Sequence, residues 1–130
     1  MAKILLIEAH PLMRPAIHDL LQLAGHTIVE TDQGEQALQW LAEAEHEKID
    51  LVLTNADLND MNGASLIQEV RTLCAAEALP ILAFTVKPDP KIQTTAQNAG
   101  ADMVLMPPLT AETLYAAIGQ LLTSTQPEVR

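Results

Sequence analysis

Five short apolar runs alternate with five helical patterns along the chain, and this alternation restricts the possible folds more than any other feature. Short apolar runs are typical of strands that are buried on both faces. The strands are predicted at residues 3–8, 27–31, 50–54, 80–85 and 102–106, and the helices within 12–24, 32–44, 64–73, 90–100 and 111–122. Strands that alternate with helices form right-handed crossovers, so the pattern predicts a doubly wound α/β fold with a parallel sheet.

Local signals mark the predicted helix ends. Three residues are predicted to cap the helix that follows them: Asn62, Asp89 and Thr110. Asp32 with Glu35 has the spacing of a capping box at the second helix. In the first helix, Leu12 is predicted to lie on the inward side with the other apolar residues.

The charge balance and composition limit the class of protein. Seventeen Asp and Glu against seven Lys and Arg give a net charge of -10, which disfavours direct binding to nucleic acid. No apolar run approaches the roughly 20 residues of a membrane helix, so no membrane segment is expected. The single cysteine, Cys74, cannot form an internal disulfide, and we expect a cytoplasmic protein. Residues 1–122 are predicted to form one domain, and 123–130 a polar tail or the start of a linker.

The carboxyl ends of the predicted strands point to one candidate site. In an open parallel sheet, ligands bind outside these ends, where the strand order reverses. This rule selects Glu8 and Ala9 after the first strand, Asn55 after the third, Thr85 ending the fourth and Met106 ending the fifth.

The segments 4–11, 34–41, 50–63, 80–85 and 100–107 carry a family resemblance. In this order and spacing they resemble the receiver domains of response regulators, the phosphorylated switches of bacterial two-component and phosphorelay signalling. The resemblance implies a flavodoxin-like fold of five βα units with strand order 2-1-3-4-5. It also implies a set of site residues: an acidic pair that helps to hold Mg²⁺, a phosphoacceptor aspartate, a Ser or Thr, and a lysine that ends the fifth strand.

The chain departs from that set at three positions. Glu8 and Thr85 match the family, but Ala9 replaces the second acid, Asn55 the phosphoacceptor and Met106 the lysine. A neutral carboxamide is a very poor nucleophile, so Asn55 is not expected to accept a phosphoryl group. The resemblance therefore indicates a pseudo-receiver whose phosphoacceptor position is degenerate.

The same departures weaken the expected metal site. Mg²⁺ prefers several charged oxygen ligands, and Glu8 and Asp57 are the only weak candidates. We expect weak or absent Mg²⁺ binding, no cofactor and no enzymatic activity. Two alternatives stay open: Asp57 or Asp60 could accept phosphate in place of Asn55, or the altered pocket could bind a small ligand.

The expected partners are proteins. The resemblance implies a histidine kinase, another regulator or an attached output domain. Receivers carry a switch aromatic in the fifth strand, three residues before the lysine, and Met103 is assigned to that position. Many receivers form dimers through ion pairs between their fourth helices, fifth strands and fifth helices. A homodimer of this kind would need apolar contacts here, because residues 111–122 contain no Lys or Arg. The Met106–Pro107 bond is expected to be cis, as in the family.

Overall fold

The fold is known from a computed structural model, which describes residues 2–43, 48–58, 61–74 and 78–125, with the side chains of 124 and 125 left out. Its strands are β1 (Lys3–Ile7), β2 (Thr27–Thr31), β3 (Leu51–Asn55), β4 (Ile81–Phe84) and β5 (Met103–Leu105). Its helices are α1 (Met13–Leu23), α2 (Gly34–Ala42), α3 (Gly63–Leu73), α4 (Pro90–Ala99) and α5 (Ala111–Thr125).

The five strands form one parallel sheet in the order β2-β1-β3-β4-β5. The predicted fold class and strand order are therefore confirmed. β1 and β3 are neighbours in the middle of the sheet, although 43 residues separate Ile7 from Leu51. Because these strands are parallel neighbours, the carboxyl ends of β1, β3 and β4 lie side by side along one edge of the sheet.

Alternate strand residues form two apolar clusters, one on each face of the sheet. The α1/α5 cluster contains Ile4, Leu6, Leu53 and Phe84 together with Leu114, Ala117, Ile118 and Leu121 of α5. The α2–α4 cluster contains Leu5, Ile7, Val52 and Ala83 together with Leu66, Ile67 and Val70 of α3. Neighbouring strand residues thus point to opposite faces, and both faces are buried in the three central strands β1, β3 and β4, which explains their nearly continuous apolar runs.

The predicted caps at three helices are confirmed. Asn62 Oδ1 accepts a hydrogen bond from Ala64 N at 2.7 Å, and Asp89 Oδ1 accepts one from Lys91 N at 3.0 Å. Thr110 Oγ1 likewise accepts from Thr113 N at 3.1 Å. Each bond joins residues two or three apart, so a short sequence pattern is sufficient to predict it.

The predicted capping box at α2 is wrong. The residue that precedes the helix is Gln33, in an extended conformation and without a side-chain cap bond. Thr31 Oγ1 accepts a hydrogen bond from Gln33 N at 3.1 Å, so a side chain from the end of β2 organises this turn instead of Asp32.

The inward position predicted for Leu12 is also wrong. Leu12 precedes α1 and is 75% exposed, whereas Ile17 and Leu21 are the buried residues of that helix. His10 Nδ1 accepts hydrogen bonds from Leu12 N at 3.1 Å and Met13 N at 3.3 Å. The histidine therefore fixes the start of α1, and Leu12 lies outside the apolar stripe.

Two further details concern the end of the chain. The described residues have a cis peptide bond at Pro107–Pro108, so the expected cis bond at Met106–Pro107 is wrong. Both bonds precede a proline, and the residues alone give no reason to prefer one.

The helix α5 continues to Thr125, past the predicted end at 122, while residues 126–130 of the predicted tail lie outside the described residues.

The described helices include none with the length and apolar character that crossing a membrane requires. The helix α5 packs beside α1 on one face of the sheet, where the Tyr115 hydroxyl donates a hydrogen bond to the Leu20 carbonyl at 2.7 Å.

We expect stability to fall at acidic pH because of His26. Burial lowers the pKa of this side chain from its usual 6.5, and the positive amino terminus lowers it further. Its Nδ1 accepts a hydrogen bond from Ala2 N at 3.2 Å, which requires that nitrogen to be unprotonated. The unfolded chain then binds more protons than the folded chain below about pH 6.5, so the unfolding free energy decreases as the pH falls.

Urea unfolding between pH 8 and 5 measures this effect. His26→Asn keeps a hydrogen-bond acceptor but does not titrate, so its stability should fall less steeply below pH 6.5. At pH 8 the histidine is neutral in both states, and the difference between variant and parent there gives the baseline. Parallel pH profiles for the two chains would contradict the assignment to His26.

Candidate functional site at the carboxyl edge of the sheet

Three buried polar residues lie together where β1, β3 and β4 end. Glu8 follows β1, Asn55 ends β3, and Thr85 follows β4. Their exposed fractions are 1%, 7% and 1% respectively. The sheet topology places them at adjacent strand ends, which is the position that the sequence predicted for the site.

The Glu8 carboxylate accepts hydrogen bonds from the side chain and the backbone around it. Asn55 Nδ2 donates to Glu8 Oε1 at 2.9 Å, and His10 N donates to Glu8 Oε2 at 3.0 Å. Arg14 Nη1 also donates to the Glu8 carbonyl at 3.1 Å. Protein donors thus contact both carboxylate oxygens of this buried acid, as burial of a charged group requires.

Both ends of the Asn55 amide are engaged. While Nδ2 donates to Glu8, Oδ1 accepts a hydrogen bond from Asp57 N at 2.9 Å. The amide therefore links the end of β1 to the loop after β3. An aspartate in the same position could accept from Asp57 N but could not donate to Glu8.

The Thr85 hydroxyl is engaged by its own loop. Its Oγ1 accepts a hydrogen bond from Lys87 N at 3.0 Å and donates to the Lys87 carbonyl at 3.5 Å. This arrangement is a local Ser/Thr turn, which needs no ligand to satisfy the hydroxyl. Ala9, next to Glu8, is half-buried and adds no polar side-chain atom.

The two methionines of the predicted site pack in apolar surroundings. Met106 is half-buried against the α2–α4 cluster, where it supplies no charge. Met103 packs against the α1/α5 cluster on the opposite face of the sheet. Val104, paired with Ala83, is the β5 residue on the α2–α4 face, the side that Thr85 shares by alternation along its strand.

The Asp57 carboxylate is exposed and paired with Lys87. Its side chain is 56% exposed, and Oδ2 lies 2.7 Å from Lys87 Nζ. The hydrogen bond from Lys87 to Asp57 and the charge of that carboxylate raise the pKa of Lys87. The other alternative acceptor, Asp60, lies outside the described residues.

Oxygen donors for a cation are sparse at this edge. Within the described part of the chain, no group of three or more His, Cys, Asp and Glu residues is placed to hold a metal ion. The buried Glu8 is one carboxylate, and its two oxygens already accept bonds from Asn55 and His10. Because Mg²⁺ requires near-octahedral oxygen coordination, these residues do not fit a tight magnesium site.

Sequence reasoning missed the residues that complete this edge. Lys87 was not singled out, and its position two residues after Thr85 is the one signal that could have placed it in the same loop. The role of His10 at the start of α1 is local, but histidine is not among the usual capping residues, so the pattern did not suggest it. The role of Arg14 on the Glu8 carbonyl depends on backbone geometry that no short pattern predicts.

Comparison with known proteins connects this architecture to a family. A family model described as the response regulator receiver domain matches residues 4–119. The response regulator protein FleR of Pseudomonas aeruginosa is 34% identical over 125 residues, covering 92% of this chain and 25% of its own length. A chemotaxis protein CheY homolog of Campylobacter jejuni is 26% identical over 121 residues, covering 92% of each chain.

A solved structure agrees on the fold. The receiver domain of a Pseudomonas aeruginosa sensor histidine kinase, with magnesium in its active-site cleft, superposes with a TM-score of 0.82 at 24% identity, covering 94% of this chain and 98% of that one. The chain spans between 15% and 25% of the length of several curated relatives, FleR among them.

Proposed function

We propose a role for this chain from one premise: it belongs to the response regulator receiver domain family. Receiver domains are signal-transduction modules of two-component systems, in which they work with histidine kinases and output domains. Within that family, the proposed role is a pseudo-receiver that does not take up phosphate at the usual position. It acts through protein–protein contacts in a single state.

The observation that carries the proposal is the hydrogen bond between Asn55 and Glu8. A phosphoacceptor needs a free, anionic oxygen in line with phosphorus. At position 55 the chain has an amide whose nitrogen is bound to Glu8 Oε1 at 2.9 Å and whose oxygen is bound to Asp57 N at 2.9 Å. The amide thus has neither the charge nor the free oxygen for attack.

The surroundings of Asn55 support the same conclusion. Transfer of a phosphoryl group depends on cations that neutralise its oxygens, supplied by a metal ion or a basic side chain. Here both oxygens of the buried Glu8 carboxylate accept hydrogen bonds from the protein, and β5 is followed by Met106 and two prolines, which carry no charge. Two basic side chains near the site are already engaged: Arg14 donates to the Glu8 carbonyl at 3.1 Å, and Lys87 is paired with Asp57 at 2.7 Å.

The hydrogen bonds within the site also explain why we expect the domain to stay in a single conformational state. Glu8, Asn55 and Thr85 are buried, and each has its polar side-chain atoms bonded within the protein. A ligand that enters this edge must first break these bonds, and each buried group left unpaired costs about 1–3 kcal/mol. The partner proteins are proposed to be a histidine kinase, another regulator or an output domain.

The direct test is a titration with Mg²⁺ and beryllofluoride, an analogue of the phosphoryl group, followed by amide NMR. We expect no saturable shift at Asn55, Ala56 or Thr85, because the pocket offers neither a nucleophilic oxygen nor a second acidic ligand. The receiver domain of the Pseudomonas kinase, which binds magnesium in its cleft, is the positive control for the metal. Saturable shifts at these three residues would overturn the proposal.

Incubation with an active histidine kinase tests acceptance of phosphate at Asp57, Asp60 or any other residue. We expect no gain of one phosphate in intact-mass measurements. Asp57→Asn and Asp60→Asn are the matched variants: a phosphate that disappears in one of them would identify the substitute acceptor and contradict the proposed loss of phosphorylation.

A further inference from the structure

A groove of about 710 Å³ lies between α2 and α3, and it shares no lining residue with the buried Glu8–Asn55–Thr85 site. Its walls are the exposed side of α2, with the residues just before it, and the last turns of α3. The residues that line it are Asp32, Gln33, Glu35, Gln36, Leu38, Gln39, Ala42, Glu69, Thr72 and Leu73. None of the buried site residues Glu8, Asn55 and Thr85 is among them. We propose that this groove binds a cationic amphipathic helix of a partner protein.

The spacing of the lining residues gives the groove a direction. On α2, Glu35, Leu38 and Ala42 follow helical spacing, and on α3 Glu69 and Leu73 are one turn apart. The stretch from Glu35 to Ala42 is about 10 Å long, or roughly two helical turns. A partner helix lying along α2 would therefore contact the groove through about two turns.

Apolar residues in the groove provide contact area. Leu73 is 45% exposed and is one of four large apolar side chains exposed in the described part of the chain. Leu38 is half-buried beside it, and Ala42 is exposed at the end of α2. Apolar residues at one face of a partner helix would cover these side chains and remove apolar surface from water.

The charge of the groove selects the chemistry of the partner. Asp32, Glu35 and Glu69 line it, and no Lys, Arg or His is among its described lining residues. The whole chain also has a net charge of -10. A helix with Lys or Arg beside its apolar stripe is complementary to this surface, whereas a second copy of this chain would bring the same acidic residues and be repelled.

This inference deepens the proposed function, because it assigns one surface to the protein contacts on which that function rests. The two can fail separately. A beryllofluoride response at Asn55 and Thr85 would overturn the pseudo-receiver role, but the groove would be unaffected because it shares no lining residue with that site.

The test uses a designed helical peptide of about 14 residues, with leucines along one face and lysines on both sides of them. It is titrated at low salt into the isotope-labelled chain and followed by amide NMR. We expect saturable shifts confined to α2 and to residues 69–73, with affinity that falls as salt is added. A peptide with glutamate at every lysine position should produce no shifts.

Matched variants separate the groove from general attraction to an acidic protein. Leu73→Ser and Glu69→Lys should each weaken binding about fivefold or more, because they remove an apolar contact and reverse a charge. The controls Leu23→Ser and Glu112→Lys make the same changes on α1 and α5, outside the groove, and should alter affinity by less than about twofold.

Three results would overturn the proposal. The first is the absence of a saturable shift, and the second is a set of shifts spread over the whole surface with controls as weak as the groove variants. The third is a change in the α2 and α3 signals with protein concentration and without peptide, which would make a second copy the occupant.

Discussion

Asn55→Asp is expected to lose stability without gaining normal phosphorylation. The substitution replaces the Nδ2 donor, 2.9 Å from Glu8 Oε1, with a second carboxylate oxygen. Two buried like charges then face each other at hydrogen-bond distance, and Glu8 loses its side-chain donor. We expect the unfolding free energy at neutral pH to fall by about 2–4 kcal/mol, as for other broken buried polar pairs.

Phosphorylation should remain poor in this variant, because Ala9 still lacks the second acid and Met106 still supplies no cation. Urea unfolding measures the stability, and intact mass after treatment with a small acyl phosphate measures the modification. Rapid formation of an acyl phosphate by Asn55→Asp would refute the view that the losses at this site act as a set.

The matched control exchanges the two groups. In Glu8→Gln/Asn55→Asp, an amide at position 8 can donate to a carboxylate at position 55, so one charge and one amide again share the site. We expect this double variant to recover most of the stability that Asn55→Asp loses, which a double-mutant cycle would show as a large coupling energy. If the double variant instead loses as much stability as the two single variants together, the Glu8–Asn55 contact is not the cause.

Gly63→Ala should be among the most damaging substitutions in the chain. A Cβ atom at Gly63 would lie 2.3 Å from the Ala56 carbonyl oxygen and 2.7 Å from the Ala56 Cα. These are backbone atoms, which cannot rotate away, so the β3–α3 loop or the start of α3 must move. We expect a loss of about 3 kcal/mol or more in unfolding free energy, a magnitude typical of severe overpacking.

Gly119→Ala is the matched control for the same chemical change. Apart from the adjoining backbone of its own helix α5, a Cβ atom at Gly119 would have no described heavy atom within 4 Å. Alanine favours helices more than glycine does, so this variant should gain up to about 1 kcal/mol. Urea unfolding of both variants tests the pair, and a Gly63→Ala variant as stable as Gly119→Ala would contradict the close approach to Ala56.

Much of the fold follows from local patterns in the sequence. Apolar runs such as Ile4–Ile7 are buried on both faces, as central strands of any parallel sheet are, so their sequence alone predicts a buried strand. Caps such as Asn62 act over two residues and were predicted. The start of α2 was not, because Thr31 of the preceding strand organises it from outside the helix.

The site was predictable in composition but not in its contacts. The strand ends selected Glu8, Asn55 and Thr85, since parallel topology brings them together. The bond between Glu8 and Asn55 joins residues 47 positions apart, and its donor and acceptor depend on side-chain orientation that no pattern encodes. The assignment of Met103 to the switch position depends on register in the same way, because a shift of one residue exchanges the faces of a strand. In the structure Met103 packs against the α1/α5 cluster and Val104 belongs to the α2–α4 cluster.

The hydrogen bond from Tyr115 to the Leu20 carbonyl also has a consequence for how the chain folds. It closes a segment of 95 residues that includes most of the sheet, so α5 can dock only after nearly the whole domain has been synthesised. Until then one face of the sheet, with Ile4, Leu6 and Phe84, lacks one of the two helices that cover it. Contacts of such long sequence separation form slowly, so we expect this apolar surface to stay partly exposed, and prone to aggregation, until α5 docks.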